Sequence, residues 1–181
     1  QCLDEGRGLV DVELHVIQPA LYDIGARWQA NQVTVAQEHM ATAIVQWVMT
    51  AALLRSPPPS PIDKRVLLAC VEGNHHAVGL RMVADAFQLG GWDVQYLGAD
   101  VPTLALVQRA VDWRPDLVGL SVSFPHQLRA VKGVIGALAE RLGDARPAVI
   151  VGGLAINRFT ELVDVVGADA SSADAQAAVD S

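Results

Sequence analysis

The sequence predicts an α/β protein: a helical-bundle block over residues 1–55, then a doubly wound parallel sheet of five strands over residues 64–181. Three observations predict it. Residues 56–61 hold four prolines, so that 56–63 reads as a stiff, extended linker and a domain boundary. Before the linker, apolar residues recur with helical spacing. Beyond it, short apolar runs alternate with helical patterns, as strands and crossover helices do in a parallel sheet.

In chain order, Val10, Val12, Leu14, Val16 and Ile17 mix helical and alternating spacing, and residues 9–17 are read as helix. Pro19 suits the first turn of a new helix, with Leu21, Ile24, Gly25 and Trp28 along one face. The polar residues 29–32 read as a loop. Thr34, with Gln37 three residues on, makes a capping box for a helix running through Met40, Ala43, Ile44, Trp47, Val48 and Ala51 to Leu54. Past the linker, residues 66–71 are an apolar run fit for a strand covered on both faces. Val78, Met82, Val83, Ala86 and Leu89 place a helix over 77–89, stopped by Gly90-Gly91. A second strand follows at 92–97, a helix from Thr103, a third strand at 116–122 and a helix through Leu142. The fourth strand is 148–151, closed by Gly152-Gly153, then come a shorter helix at 157–166 and a short edge strand at 168–172. The most economical arrangement is the flavodoxin-like, Rossmann-type order.

Composition narrows the function. A formal net charge of -7 excludes nucleic-acid binding by this segment's own surface, because neutralising phosphates needs clustered Lys and Arg. The two cysteines, Cys2 and Cys70, make no disulfide framework, and Cys70 in an apolar strand reads as a buried reduced thiol. No apolar run reaches membrane-spanning length and no signal peptide is visible, so a cytoplasmic location without membrane partners is expected. The chain opens at Gln1 in mid-pattern, as a piece of a longer protein would.

Chemistry concentrates at Glu72-Gly73-Asn74-His75-His76-Ala77-Val78-Gly79, between the first strand and its helix. In open α/β sheets ligands bind beyond the carboxyl ends of the strands, where strand order reverses. An imidazole there, that of His76, can reach a metal with one nitrogen while a neighbour such as Asn74 orients the other. Gly79 would let a large planar ligand approach the backbone. Taken alone, adjacent loop histidines are more commonly a solvated pair. Likewise Trp28 alone is a packing residue between helices, and Glu38-His39 a solvated helix face. No paired carboxylates or Ser-His-Asp arrangement stand near the stretch, so a binding module rather than an enzyme is expected. The Gly-x-Gly-x-x-Gly of dinucleotide sites is missing after the first strand.

Three motifs together decide the reading: Gly-Asn-His-His-Ala-Val-Gly at 73–79, Leu-Ser-Val-Ser at 120–123 and Val-Gly-Gly at 151–153. In that order behind a helical block, they resemble the cobalamin-binding modules, a helical cap followed by an α/β domain with the signature Asp/Glu-x-His-x-x-Gly. The resemblance covers almost the whole chain. It implies that His76 ligates cobalt from below, with Gly73, Asn74, His75, Val78 and Gly79 around it. It also implies that Ser121 lies along the dimethylbenzimidazole tail beside Val122 and Ser123, and that Gly152 and Gly153 line the tail channel. Trp28, followed ten residues later by Glu38-His39, resembles the light-sensing domains of the CarH type. There the Trp covers the upper adenosyl group and the Glu and His complete its pocket.

Two departures stand out. Asn74 replaces the signature acid, so an amide rather than a carboxylate would orient the His76 ring, and Gln29 stands where the CarH type has an upper histidine. The function implied is a photoreceptor or sensor that binds adenosylcobalamin base-off. Light-driven Co–C cleavage would be passed on through cap movement to a homo-oligomer or to a fused or associated effector. The alternatives are a corrinoid carrier presenting methylcobalamin to methyltransferases, and a photoreceptor that holds a bilin beside the corrin.

Overall fold

The computed structural model describes residues 6–57 and 59–180. The chain divides into two units, Gln1–Pro58 and Pro59–Ser181. Cys2 lies outside the described residues.

In the first unit, α1 (Leu9–Val12), a π turn (Glu13–Ile17) and α2 (Gln18–Gln29) run on without a break. The new helix expected at Pro19 is instead a continuation. Proline has no N–H for the carbonyl four residues back and its ring crowds that carbonyl. The helix accommodates this by widening to the i→i+5 pattern just upstream. After a turn in which Asn31 takes φ 57°, α3 (Val35–Arg55) begins at Thr34. The Gln37 N–H donates to Thr34 Oγ1 (3.2 Å) and the Thr34 N–H to Gln37 Oε1 (2.8 Å), the reciprocal cap read from the sequence. Of the apolar residues along α3, Met40, Ile44, Trp47 and Val48 are exposed, whereas Met49 and Ala52 are buried. The helix is apolar nearly all round, so spacing could not single out a face.

The second unit runs β1 (Arg65–Cys70), α4 (Val78–Leu89), β2 (Asp93–Tyr96), α5 (Thr103–Trp113), β3 (Leu117–Ser121), α6 (Leu128–Leu142), β4 (Ala148–Gly152), α7 (Leu154–Arg158), α8 (Leu162–Val166), β5 (Ala170–Ser171) and α9 (Ala175–Asp180). The strands are all parallel in the order β2-β1-β3-β4-β5, the doubly wound arrangement that the sequence predicted. The chain starts in the middle of the sheet, steps outward to β2 and returns past β1 to β3. Strand order therefore reverses between β1 and β3, the switch point where such sheets bind ligands. One face packs Leu67, Ala69, Val118, Leu120 and Val151 against α5 and α6 through Leu106, Val131 and Leu138. The other packs Val66, Leu68, Cys70 and Ile150 against Leu80 and Phe87 of α4 and Ala178 of α9.

Three elements differ from expectation. The single helix expected at 157–166 is two, because Gly153 at φ 98° turns the chain straight from β4 into α7, and Phe159 at φ -139° then ends it. A 3-10 turn, Pro125–Gln127, precedes α6. The terminal α9 was not anticipated. Asp174 caps it, its Oδ1 accepting from the Ala177 N–H at 2.8 Å, and an Asp before an Ala-rich run was the signal that could have found it. None of the described helices is long and apolar enough to cross a membrane.

The amino ends of the strands are fastened by carboxylates. Asp116 accepts from the Arg65 N–H (2.9 Å) and Lys64 Nζ (3.0 Å). Asp169 accepts from Arg146 Nη1 and Nη2 (2.8 and 2.6 Å) and from the Val149 N–H (2.7 Å). The Arg65 N–H and then Lys64 hold the Asp116 carboxyl below its ordinary value, and Arg146 does the same for Asp169. Since both folded-state values are depressed, this stabilisation is complete above the ordinary carboxylate value of about 4 and is lost as pH falls through the lower folded values. The double variant Asp116→Asn, Asp169→Asn is therefore expected to melt below the parent at pH 7, by a margin that shrinks towards pH 2. Thermal unfolding at the two pH values is the check, and an equal loss at both contradicts it.

Candidate functional site

The last residues of the three central strands lie side by side: Cys70 of β1 pairs with Ser121 of β3, and Ser121 with Gly152 of β4. The loop leaving β1 is pinned to this edge by one side chain. Asn74 is fully buried, its Nδ2 donates to the Ser121 carbonyl (2.9 Å) and its Oδ1 accepts from the His76 N–H (3.1 Å). A buried amide held at both ends by backbone fixes the path of the chain into His76. This corrects the expectation that Asn74 orients the imidazole, because both ends of its amide are engaged by backbone groups.

Two further side chains, not singled out from the sequence, brace the same loop. Asp100, in the left-handed region at φ 51°, accepts from the Gly73 N–H through Oδ1 (2.7 Å), and its own N–H donates to the Asn74 carbonyl (2.9 Å). Gln127, buried, donates from Nε2 to the Gly73 carbonyl (2.8 Å) and accepts at Oε1 from the Ser123 (2.9 Å) and Phe124 (3.1 Å) N–H groups. Beneath the loop, the Cys70 thiol faces the His76 carbonyl at 3.7 Å, and burial pushes its pKa up to about 11, so it stays neutral. Tyr96 donates its hydroxyl to the Ala77 carbonyl (3.2 Å).

What the loop presents is two exposed imidazoles, His75 and His76. The His76 ring meets Phe124 edge to face, with centroids 5.3 Å apart at 76°, and Phe124 stacks on His126 at 5.7 Å and 10°. Among the described residues, neither ring nitrogen of His76 has a hydrogen-bond partner. Val78 opens α4, and Gly79 in its first turn is exposed, with open space where a Cβ would stand. The remaining expected residues divide by burial. Ser121 and Ser123 are buried at the strand end. Val122 has its side chain wholly in the core, its N–H donates to the Gly152 carbonyl and its carbonyl accepts from the Ala155 N–H, so it positions the neighbouring strand end and α7. Gly153 admits no side chain, since a Cβ would stand 2.5 Å from the Val122 carbonyl oxygen, and one on Gly152 would stand 3.2 Å from the Ser172 carbonyl oxygen.

In the first unit, Trp28 sits in the last turn of α2, 45% exposed, and Glu38 in the first turn of α3. The Glu38 carboxylate already accepts from Thr42 Oγ1 (3.0 Å) and lies 2.6 Å from Nδ1 of the exposed His39.

This arrangement suits a particular kind of metal. Among the described residues no group of three or more His, Cys, Asp and Glu could hold an ion unaided. One accessible imidazole beside an open glycine is enough for an ion already held by a macrocycle, and that is what a corrin would need from the protein. Asp100 and Gln127 escaped the sequence reading for different reasons. Asp100 carries a turn signal, in Gly98-Ala99-Asp100, whereas nothing local marks Gln127.

Residues 64–180 match a family described as B12 binding domain, and residues 1–53 match a second family of the same description. The chain is 33% identical to the HTH-type transcriptional repressor CarA of Myxococcus xanthus, over 92% of this chain and 56% of the repressor. It is 32% identical to dimethylamine corrinoid protein 2 of Methanosarcina acetivorans, over 94% of this chain and 83% of that protein. The fold is that of the monomethylamine corrinoid protein of Methanosarcina barkeri, with a TM-score of 0.80 at 21% identity, covering 99% of this chain and 84% of that one. The chain spans about half the length of the curated repressors it matches.

Replacing Asn74 with Ala leaves the Ser121 carbonyl and the His76 N–H without this partner, an expected loss of about 1–3 kcal/mol in urea unfolding. Asn74→Asp restores the acceptor but sets a buried carboxylate against a carbonyl. It is expected to be less stable than the parent at pH 8, with a gap that narrows towards pH 5 as the acid takes up its proton.

Proposed function

This chain belongs to the B12-binding domain family, and on that footing we propose that it is a sensory module. It binds adenosylcobalamin base-off, takes His76 as the lower cobalt ligand and responds to light. The observation that carries this reading is the His76 imidazole, exposed, without a hydrogen-bond partner among the described residues and held on a pinned loop at the switch point of the sheet. Adenosylcobalamin supplies, when bound, a cobalt–carbon bond that light can break.

The chain's own residues take the following parts. His76 offers a ring nitrogen to cobalt, and Asn74, Asp100 and Gln127 keep its loop in place. Gly79 leaves room for the ring system over the first turn of α4. Ser121, Ser123, Gly152 and Gly153 flank the path of the nucleotide tail at the ends of β3 and β4. Trp28 offers a flat apolar face to the upper nucleoside, with Glu38 and His39 as polar partners. Since α2 and α3 carry these three residues on either side of one turn, they are the elements through which loss of the upper group would be felt. The output belongs to an oligomer interface or to an effector outside this segment.

A second reading is favoured by one specific finding: the chain covers 83% of a dimethylamine corrinoid protein. In that reading the module carries methylcobalamin for methyltransferase partners, and Gln29, which offers no imidazole to the upper face, is no handicap.

Two measurements separate these. Trp28→Ala is expected to weaken adenosylcobalamin binding roughly 10-fold and to leave methylcobalamin within about 2-fold, as removal of an aromatic face from one ligand alone would. The visible spectrum of the adenosylcobalamin-loaded protein is expected to change on illumination. No change in spectrum or assembly, with tighter binding of the methyl form, establishes the carrier. His76→Ala is expected to lose the pigment or return it to coordination by its own nucleotide base, and an unaltered spectrum refutes both readings.

A further inference from the structure

We infer that Phe124 orients the His76 imidazole, the part that the residue at position 74 does not take. The inference rests on the reading of His76 as a cobalt ligand. An imidazole ligand has two free torsions, and a site that uses it must fix both. The common device is a hydrogen bond to the ring nitrogen that faces away from the metal. Here the neighbouring polar side chain, Asn74, is buried with its amide donating to the Ser121 carbonyl and accepting from the His76 N–H, and no ring nitrogen of His76 has a hydrogen-bond partner among the described residues. What touches the ring is Phe124, edge to face at 5.3 Å and 76°.

Phe124 is itself well held. Its N–H donates to Gln127 Oε1 (3.1 Å), Pro125 follows at the start of a 3-10 turn, and its ring stacks on His126. The other end of the Gln127 amide holds the Gly73 carbonyl, three residues before His76. One buried side chain thus sets both the loop that carries the imidazole and the loop that carries the ring against it. Burial does not explain the placement, since Phe124 remains 42% exposed. An apolar ring fixes orientation without adding electron density to the imidazole, so the ligand is placed but not made more basic, unlike a histidine backed by a carboxylate.

The test uses the full chain in two arms. In ligand-free protein, the His76 ring-proton resonances, identified by their loss in His76→Ala, carry the ring-current displacement of Phe124. Phe124→Leu is expected to move them to the position of an exposed histidine such as His75, and Phe124→Tyr to restore them. With methylcobalamin, Phe124→Leu is expected to weaken binding about 2- to 13-fold, the range of one aromatic pair, with recovery in Phe124→Tyr. Resonances that do not move in Phe124→Leu overturn the inference whatever the cobalamin does. Resonances that move without any change in affinity overturn it too, and leave a packing contact. If His76→Ala keeps the parent affinity and spectrum, it is the ligand reading that has failed, and the inference falls with it. The ligand-free arm reads the ring contact alone, so the two failures are told apart.

Discussion

A carboxamide with no exposure to solvent must find its partners inside the protein, and the whole switch-point edge of this sheet is arranged around one that does. The Asn74 side chain joins β3, through the Ser121 carbonyl, to the residue that carries the exposed imidazole, through the His76 N–H. An amide does both without titrating, since the first partner needs a donor and the second an acceptor. An ionised aspartate in the same place would satisfy one partner and repel the other. The asparagine at position 74 thus suits the two backbone groups it meets, and no hydrogen bond joins it to the His76 ring among the described residues.

The braces around that amide are distant in sequence and short in space. Asp100 reaches Gly73 across 27 residues and Gln127 reaches it across 54. Each comes from the loop following a neighbouring strand, Asp100 from after β2 and Gln127 from after β3, so strand order brings them together. In a sheet running β2-β1-β3, the loop after β1 is flanked on both sides, and a residue on it can be fixed from both. The left-handed backbone of Asp100 is part of this arrangement. A non-glycine residue in that region costs about 1–3 kcal/mol, and here the cost is offset by two hydrogen bonds to the loop after β1.

The same distances explain what the sequence could disclose. The sheet was legible because a parallel strand covered on both faces is a short continuous apolar run, and residues 66–71, 117–120 and 148–151 are such runs with helical patterns between them. The position of His76 was legible because it follows from strand and helix boundaries alone. The partners of its loop were not, because Gln127 looks like any polar residue in a turn until β3 is laid beside β1. Asn74 differs from expectation for a related reason: its proximity to His76 in the chain suggests the ring, whereas its burial directs it to the backbone. In the first unit, α3 hid its buried face by being apolar on every side, and the π turn before Pro19 hid the continuity of α1 and α2.

The two ends of the strands are held by different chemistry. At the amino ends, Asp116 and Asp169 bind backbone and cations as charged groups, so acid unfastens that end. At the carboxyl ends, the amides of Asn74 and Gln127 and backbone groups make most of the connections, and the one thiol there, Cys70, is pushed up to about 11 and stays neutral. Amides do not titrate. Acid therefore acts on the Asp116 and Asp169 clamps at the edge remote from His76, whereas the Asn74 and Gln127 amides that shape its loop keep their hydrogen-bonding groups at any pH at which the sheet is folded.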